Sequence, residues 1–208
     1  MSIDDLALRV PELQKNELVQ LAEIGALNFL NPANPRHRRD ALWQVERAAQ
    51  RTGPLLETLK TDEESSPLDV MTPEERLVAD FGGTGMTIGP HPMAYCREEL
   101  KHLEVLRARD LSGIPNGRWV RVAGCVIARQ RPGTAKGFVF LSLEDETGIA
   151  NIIVTPDILE QYRATIIQGK FLLFEGPLQN VDNVIHVKAA RVEKIAVLHA
   201  APPSRDFH

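Results

Sequence analysis

Cysteine is scarce in this chain, and several features that define whole classes of protein are missing. The 208 residues include only two cysteines, Cys96 and Cys125, which are too few for a disulfide framework and form no CxxC pair for zinc. No apolar run approaches the roughly 18 residues that a membrane-spanning helix needs. The first ten residues contain no basic segment followed by an apolar one, so a secretory signal is not expected. These absences predict a cytoplasmic protein with no membrane partner.

The short motifs of common catalytic sites are also absent. The glycine-rich stretch over residues 82–92 lacks the GxxxxGK[ST] pattern of phosphate-binding loops, and no GxSxG nucleophile motif occurs. His91, Cys96 and His102 do not have the spacing of zinc ligands. The acidic run over residues 144–146 could resemble a magnesium site, but it precedes a Thr-Gly pair, where acidic side chains favour a turn. We therefore expect no catalytic residue and no metal site.

Charge is distributed unevenly along the chain. The sequence has 24 Lys and Arg against 28 Asp and Glu, for a net charge of -4, which argues against a protein that works through charge alone. Residues 1–117 carry a net charge of -6, whereas residues 118–195 carry +2. This difference predicts two regions with different roles.

The first half of the chain has the hydrophobic period of short helices. Leucine and isoleucine recur at three-residue steps from Leu18 to Leu27, close to the helical period. Further helices are predicted over 37–50, from Pro73 to Gly82-Gly83, and over 93–104. Thr72 supplies an N-cap for the second of these, and Pro73 fits its first position. We expect a helical region at 1–56, a polar linker at 57–71 and a helical connector at 72–116.

From Arg118 the pattern changes to the alternation of β-strands. Strands are predicted over 118–131, 138–145 and 149–155, followed by a helix over 156–168 and two more strands over 170–181 and 184–197. Three strands, a helix and two strands is the order of an OB-fold, a five-stranded barrel. The predicted fold class is therefore α+β, with an all-α segment, an OB-fold domain at 117–197 and a disordered tail at 198–208.

The second predicted strand supplies the main candidate for function. Alternation along the strand would place Val139, Leu141 and Leu143 inside the barrel. Phe138 and Phe140 would then face outward, on the side where OB-folds bind their ligands, and an exposed ring there can stack on an unpaired base. The alternative is that both rings pack under a neighbouring helix or domain. The other candidate contacts to phosphates or base edges are Arg129, Arg131, Lys136, Asn151, His186 and Lys188.

Two long stretches of the sequence resemble a known family. MTPEERLVADFGGTGMTIGPHPMAYCREEL at 71–100 and GRWVRVAGCVIARQRPGTAKGFVFLSLEDETGIANIIV at 117–154 closely resemble the C-terminal part of bacterial error-prone DNA polymerases, which are relatives of the C-family alpha subunit. The segments LVQLAEIGALNFL and HRRDALWQVERA look like the end of that family's tandem helix-hairpin-helix region. Residues 1–56 would then form a partial helix-hairpin-helix-like domain.

The resemblance implies DNA binding without polymerase activity from this chain alone. Family polymerases hold two Mg²⁺ on palm carboxylates, and the palm has no counterpart in these residues, so we expect no cofactor. The family's OB domain lies near the single-stranded template, which implies single-stranded DNA as the partner and damage-induced translesion synthesis as the process.

Two alternatives to a binding module stay open. The chain could be a truncated or split-gene piece that works only with a separate palm-bearing polymerase chain, or a non-functional relic. The protein partners that the resemblance implies are the remainder of the polymerase, a mutagenesis-cassette accessory protein and the sliding clamp.

Overall fold

The computed structural model describes residues 2–32, 35–50, 66–181, 184–196 and 205–207. The chain divides into two compact units, Met1–Met86 and Thr87–His208. Within the described ranges, no helix combines the length and apolar character that a bilayer crossing requires.

The first unit is helical. Its elements are α1 (Ile3–Arg9), α2 (Lys15–Glu23), α3 (Arg38–Gln50) and α4 (Pro73–Thr84). The Thr72 hydroxyl accepts from the Glu75 backbone N–H and the Glu75 carboxylate accepts from the Thr72 N–H, a capping box that fixes the start of α4. The helix passes the predicted end at Gly82-Gly83 and stops where Gly85 adopts a left-handed conformation at φ 72°. The core of this unit contains Ile3, Leu18, Ala22, Leu27, Ala41 and Val45.

The second unit begins with short helices and continues as a sheet. Its first elements are α5 (Pro92–Tyr95), α6 (Arg97–His102), β1 (Val105–Leu106) and a 3-10 turn (Ala108–Gly113). The sheet continues with β2 (Trp119–Gln130), β3 (Val139–Asp145) and β4 (Gly148–Val154). The remaining elements are α7 (Pro156–Gln161), α8 (Arg163–Gln168), β5 (Phe171–Val181), β6 (Val184–Lys188), β7 (Arg191–Lys194) and β8 (Arg205–Phe207).

Five of these strands form a partly closed ring. The order is β2-β3-β4-β6-β5, and β5 also pairs with β2 from Trp119 to Cys125. The β4–β6 contact is parallel and short, joining Ile152 to Val187 and Ile153 to Lys188. This ring confirms the predicted OB-fold and the α+β class.

A glycine allows the ring to close. A Cβ added at Gly176 in β5 would lie 1.9 Å from the carbonyl oxygen of Lys188 in β6. No other residue type could sit here without moving the backbone, because the obstacle is a peptide group.

Several predicted elements are divided in the structure. The expected strand over 184–197 breaks after Lys188. The Ala189 N–H donates to the Ile153 carbonyl of β4, whereas the next N–H, that of Ala190, donates to the Glu175 carbonyl of β5, so the chain changes its hydrogen-bonding partner at this point. The helices expected over 93–104 and 156–168 each become two, since the backbone leaves the helical conformation at Cys96 and Tyr162. Of the predicted tail, residues 205–207 form β8, and residues 198–204 and 208 lie outside the described residues. Residues 51–56 of the predicted helical region, residues 57–65 of the predicted linker and residue 197 of the predicted OB-fold domain lie outside them as well.

Candidate nucleic-acid interface

The alternation predicted for β3 is present in the structure. Val139, Leu141 and Leu143 are 1–6% exposed and belong to the barrel core, whereas Phe140 is 37% exposed. Phe138 lies just before β3, is half-buried, and donates its backbone N–H to the Ala135 carbonyl at 3.0 Å. The ring of Phe140 is therefore on β3 itself, and Phe138 is the residue immediately before the strand begins.

Strand register brings Phe140 into a row of side chains from four strands. Phe140 pairs with Gln130 on one side and Ile153 on the other, and Ile153 pairs with Lys188. A neighbouring row joins Ser142 on β3 to Asn151 on β4. Since adjacent strands lie about 4.8 Å apart, Lys188 is roughly 10 Å from Phe140 across the face.

Residues from both rows, though not Lys188, line an open groove of about 330 Å³. Three of the predicted site residues, Phe140, Asn151 and His186, meet there. The His186 Nε2 atom lies 2.7 Å from the Gln179 Oε1 atom, which holds the imidazole in place. The full lining is Gln130, Phe140, Leu141, Ser142, Asn151, Ile152, Ile153, Val184, Ile185 and His186.

Two hydrogen-bonding residues of the groove were missed by sequence reasoning. Gln130 stands at the end of β2, and Ser142 lies on β3 two positions after Phe140. The parity of β3 already placed Ser142 on the same face as Phe140 and was the signal that could have identified it. Gln130 had no such signal, because its pairing with Phe140 depends on the β2–β3 register.

The predicted cations take different positions. Lys188 is exposed at the end of the Phe140 row. Arg131 and Lys136 are exposed in the β2–β3 loop, where Lys136 adopts a left-handed conformation at φ 48°. Arg129 donates from Nε to the Ile166 carbonyl at 2.9 Å and from Nη2 to the Gly169 carbonyl. Its guanidinium therefore satisfies carbonyls at the end of α8.

The acidic run after β3 forms a structural clasp. The buried Asp145 accepts from the Ala108 N–H at 2.8 Å and from the Thr147 N–H at 2.7 Å. Arg97, itself buried, binds both oxygens of Glu146 at 2.7 Å and approaches Asp145 at 3.2 Å. Both carboxylates are therefore occupied by donors from the protein itself. In the part of the chain that the structure describes, no three His, Cys, Asp or Glu side chains are grouped to hold a metal.

The histidine and thiols near this clasp have shifted pKa values. The His91 Nδ1 atom accepts from the Met93 N–H at 3.2 Å, and its Nε2 atom lies 3.7 Å from the Glu144 Oε2 atom. Burial lowers the pKa of His91, and the nearby carboxylates oppose that shift. Burial raises the pKa of the Cys96 thiol, and it raises the pKa of Cys125 to about 12. These shifts favour the protonated form of both thiols.

Comparison with known proteins agrees with this geometry. Residues 120–195 match the family model described as "OB-fold nucleic acid binding domain". The "Error-prone DNA polymerase" of Anaeromyxobacter sp. (strain K) is 40% identical over 211 residues, covering 100% of this chain and 18% of the relative. That of Aromatoleum aromaticum is 38% identical over 208 residues, covering 99% and 19%.

This chain matches a segment of error-prone DNA polymerases. The family resemblance predicted from the sequence is confirmed, and the barrel is an OB-fold nucleic-acid-binding domain. The chain spans about a fifth of the length of the error-prone polymerases it matches. Among solved structures, asparaginyl-tRNA synthetase from Pyrococcus horikoshii complexed with asparaginyl-adenylate shares 24% identity at a TM-score of 0.40, covering 46% of this chain and 23% of that one.

Proposed function

We propose that the groove beside Phe140 binds single-stranded DNA. The observation that carries this proposal is the position of Phe140, exposed on the outer face of β3 and surrounded by side chains that can hydrogen-bond. A duplex keeps its bases stacked on each other, whereas an unpaired strand can place a base on the ring.

The chemistry of the groove supports one stacked base with polar contacts around it. Asn151 and Gln130 each offer an amide that can donate and accept at a base edge. Ser142 adds a hydroxyl, whose Oγ atom lies 3.5 Å from the Asn151 Oδ1 atom. Lys188, at the end of the same row, supplies a charge for a phosphate.

Fluorescence anisotropy with a labelled oligonucleotide tests this function. We expect the single strand to bind more tightly than the duplex of the same sequence, with affinity that falls as salt rises. Phe140→Ala should weaken binding about fivefold or more, since stacking on an aromatic ring contributes about 1–3 kcal/mol per base. Ile149→Ala is the matched control, because Ile149 is 53% exposed on neighbouring β4 but outside the groove.

Further variants separate stacking from charge. Lys188→Gln should reduce the salt slope by about 0.7, the value for one phosphate contact on a single strand, whereas Phe140→Ala should leave the slope unchanged. If the double variant Phe138→Ala/Phe140→Ala binds as tightly as the unmodified chain, the stacking model is wrong.

We also propose that this DNA-binding domain serves an error-prone polymerase in translesion synthesis after DNA damage. The support is the 40% identity to error-prone DNA polymerases across the chain. Primer extension on a template with an abasic site would compare a palm-bearing polymerase chain alone with the same chain plus this protein. We expect longer products from the mixture, and equal products would reject a direct role. A mutagenesis-cassette accessory protein and the sliding clamp stay predicted partners.

A further inference from the structure

A second pocket lies at the start of β2, whereas the proposed DNA groove takes Gln130 from the end of the same strand. The pocket has a volume of about 410 Å³ and is open to solvent. Its lining is Glu104, Leu106, Ile114, Arg118, Trp119, Val120 and Arg121. None of these residues lines the groove beside Phe140, so the two sites are built from different side chains.

The most prominent group of this pocket is the indole of Trp119, which is 58% exposed. Val120 belongs to the barrel core, so the alternation of β2 turns Trp119 and Arg121 to the outer face. Further along that face, Ala123 and Cys125 are buried against residues of α5 and α6. The indole lies beyond this packing and stays uncovered. A large aromatic ring left in solvent beside a pocket is typical of a surface that meets a ligand.

The charges around the indole favour an anion. Arg121 is held in place, because its Nε atom donates to the Glu175 Oε1 atom at 3.0 Å and its Nη1 atom donates to the Leu103 carbonyl at 3.0 Å. Arg118 is exposed, and in the part of the chain that the structure describes its side chain has no ion pair or hydrogen bond. The two arginines of the lining outnumber its single acid, Glu104. The pocket therefore combines an exposed indole with an uncompensated guanidinium.

We propose that this pocket binds a nucleotide, with the base stacked on Trp119 and the phosphate held by Arg118. An aromatic side chain accepts any base, because every base has a π-face. The planar guanidinium fork binds two phosphate oxygens at once. The Glu104 carboxylate can accept a hydrogen bond from an amino group at the base edge. An apolar side chain of a protein partner would use the ring but would leave Arg118 without an anion.

Fluorescence of Trp119 tests the proposal directly. The chain has two tryptophans, so Trp43→Phe leaves Trp119 as the only emitter, and a base stacked on the indole quenches its emission. We expect saturable quenching by dAMP, with excitation at the red edge of the indole band, where adenine does not absorb. Deoxyadenosine, which lacks the phosphate, should bind about tenfold more weakly, because the charge-assisted hydrogen bonds are lost.

A single-stranded oligonucleotide identifies the source of the nucleotide. Quenching at nucleotide concentrations well below those of dAMP would identify a strand as the ligand, and equal concentrations would identify a free nucleotide. Absence of quenching by both dAMP and the oligonucleotide would overturn the proposal and favour a protein partner for the pocket.

Variants in the Trp43→Phe background test the phosphate contact. Arg118→Gln should weaken dAMP binding about tenfold and remove the difference between dAMP and deoxyadenosine. Arg163→Gln is the matched control, because Arg163 is an exposed arginine of the same unit outside the pocket, and it should leave dAMP binding unchanged. If dAMP keeps its advantage in Arg118→Gln, or if the oligonucleotide quenches this variant with an unchanged midpoint, the proposal is wrong. Because the pocket and the DNA groove share no lining residue, a loss in Arg118→Gln and a loss in Phe140→Ala are separate results.

Discussion

Replacing Gly176 with alanine tests how the barrel closes. The added Cβ would lie 1.9 Å from the Lys188 carbonyl oxygen and 3.0 Å from its carbonyl carbon. Ordinary van der Waals contact begins near 3.4 Å, so one backbone must move by about 1.5 Å. Overpacking of this kind costs about 1–3 kcal/mol. We expect the upper part of that range because peptide groups, unlike side-chain ends, cannot rotate away.

One opposing effect has to be subtracted from this cost. Alanine restricts the unfolded chain more than glycine does, which stabilises the fold by about 0.4–1 kcal/mol where the site accepts it. The net expectation for Gly176→Ala is therefore a loss of about 2 kcal/mol in the free energy of unfolding. Gly133→Ala is the matched control, since nothing lies within 4 Å of its added Cβ, and we expect it to be neutral or slightly stabilising.

Urea unfolding followed by circular dichroism measures both variants. The lower stability of Gly176→Ala should appear as a lower midpoint with an unchanged slope. Oligonucleotide affinity should fall in the same variant, because the displaced Lys188 belongs to the row that contains Phe140. If Gly176→Ala is as stable as Gly133→Ala, the close approach between β5 and β6 does not control closure of the barrel.

Three further predictions concern the clasp and the groups beside it. Arg97→Ala should destabilise the second unit by about 3–5 kcal/mol in urea unfolding, because it leaves the buried Asp145 without its cation; a loss below 1 kcal/mol would contradict this. The pKa of His91 is lowered in the fold, so its contribution to stability is complete above pH 6.5 and decreases below it, as the unfolded chain takes up a proton first. His91→Asn should flatten the pH dependence of the urea midpoint between pH 7.5 and 5.5, and an equally steep profile in the variant would exclude His91 as its source. Cys125, with a pKa of about 12, should react with a thiol reagent at pH 8 only after urea is added, and rapid labelling of the folded chain would show that the barrel opens.

The alternation of residues along a single strand was sufficient to predict much of the candidate site. The alternation along β3 correctly placed Val139 and Leu141 inside and Phe140 outside, because side-chain direction in a strand follows directly from position. The same rule failed partly for Phe138, since the tight turn before β3 delays the start of the strand by one residue. Arg129 was predicted to meet phosphates, and that role stays a prediction, while the structure shows its bonds to the end of α8.

The sequence by itself determined the OB-fold, the outward direction of Phe140 and the resemblance to error-prone polymerases, since each depends on residues close together in the chain. Tertiary structure decided which polar groups surround the Phe140 ring. It also decided that the Lys188 carbonyl lies against Gly176, and that β8 pairs with the part of β2 that β5 does not cover. Those features depend on pairing between strands distant in sequence. Backbone hydrogen bonds of this kind form between chemically identical peptide groups, so residue identity alone does not fix their register.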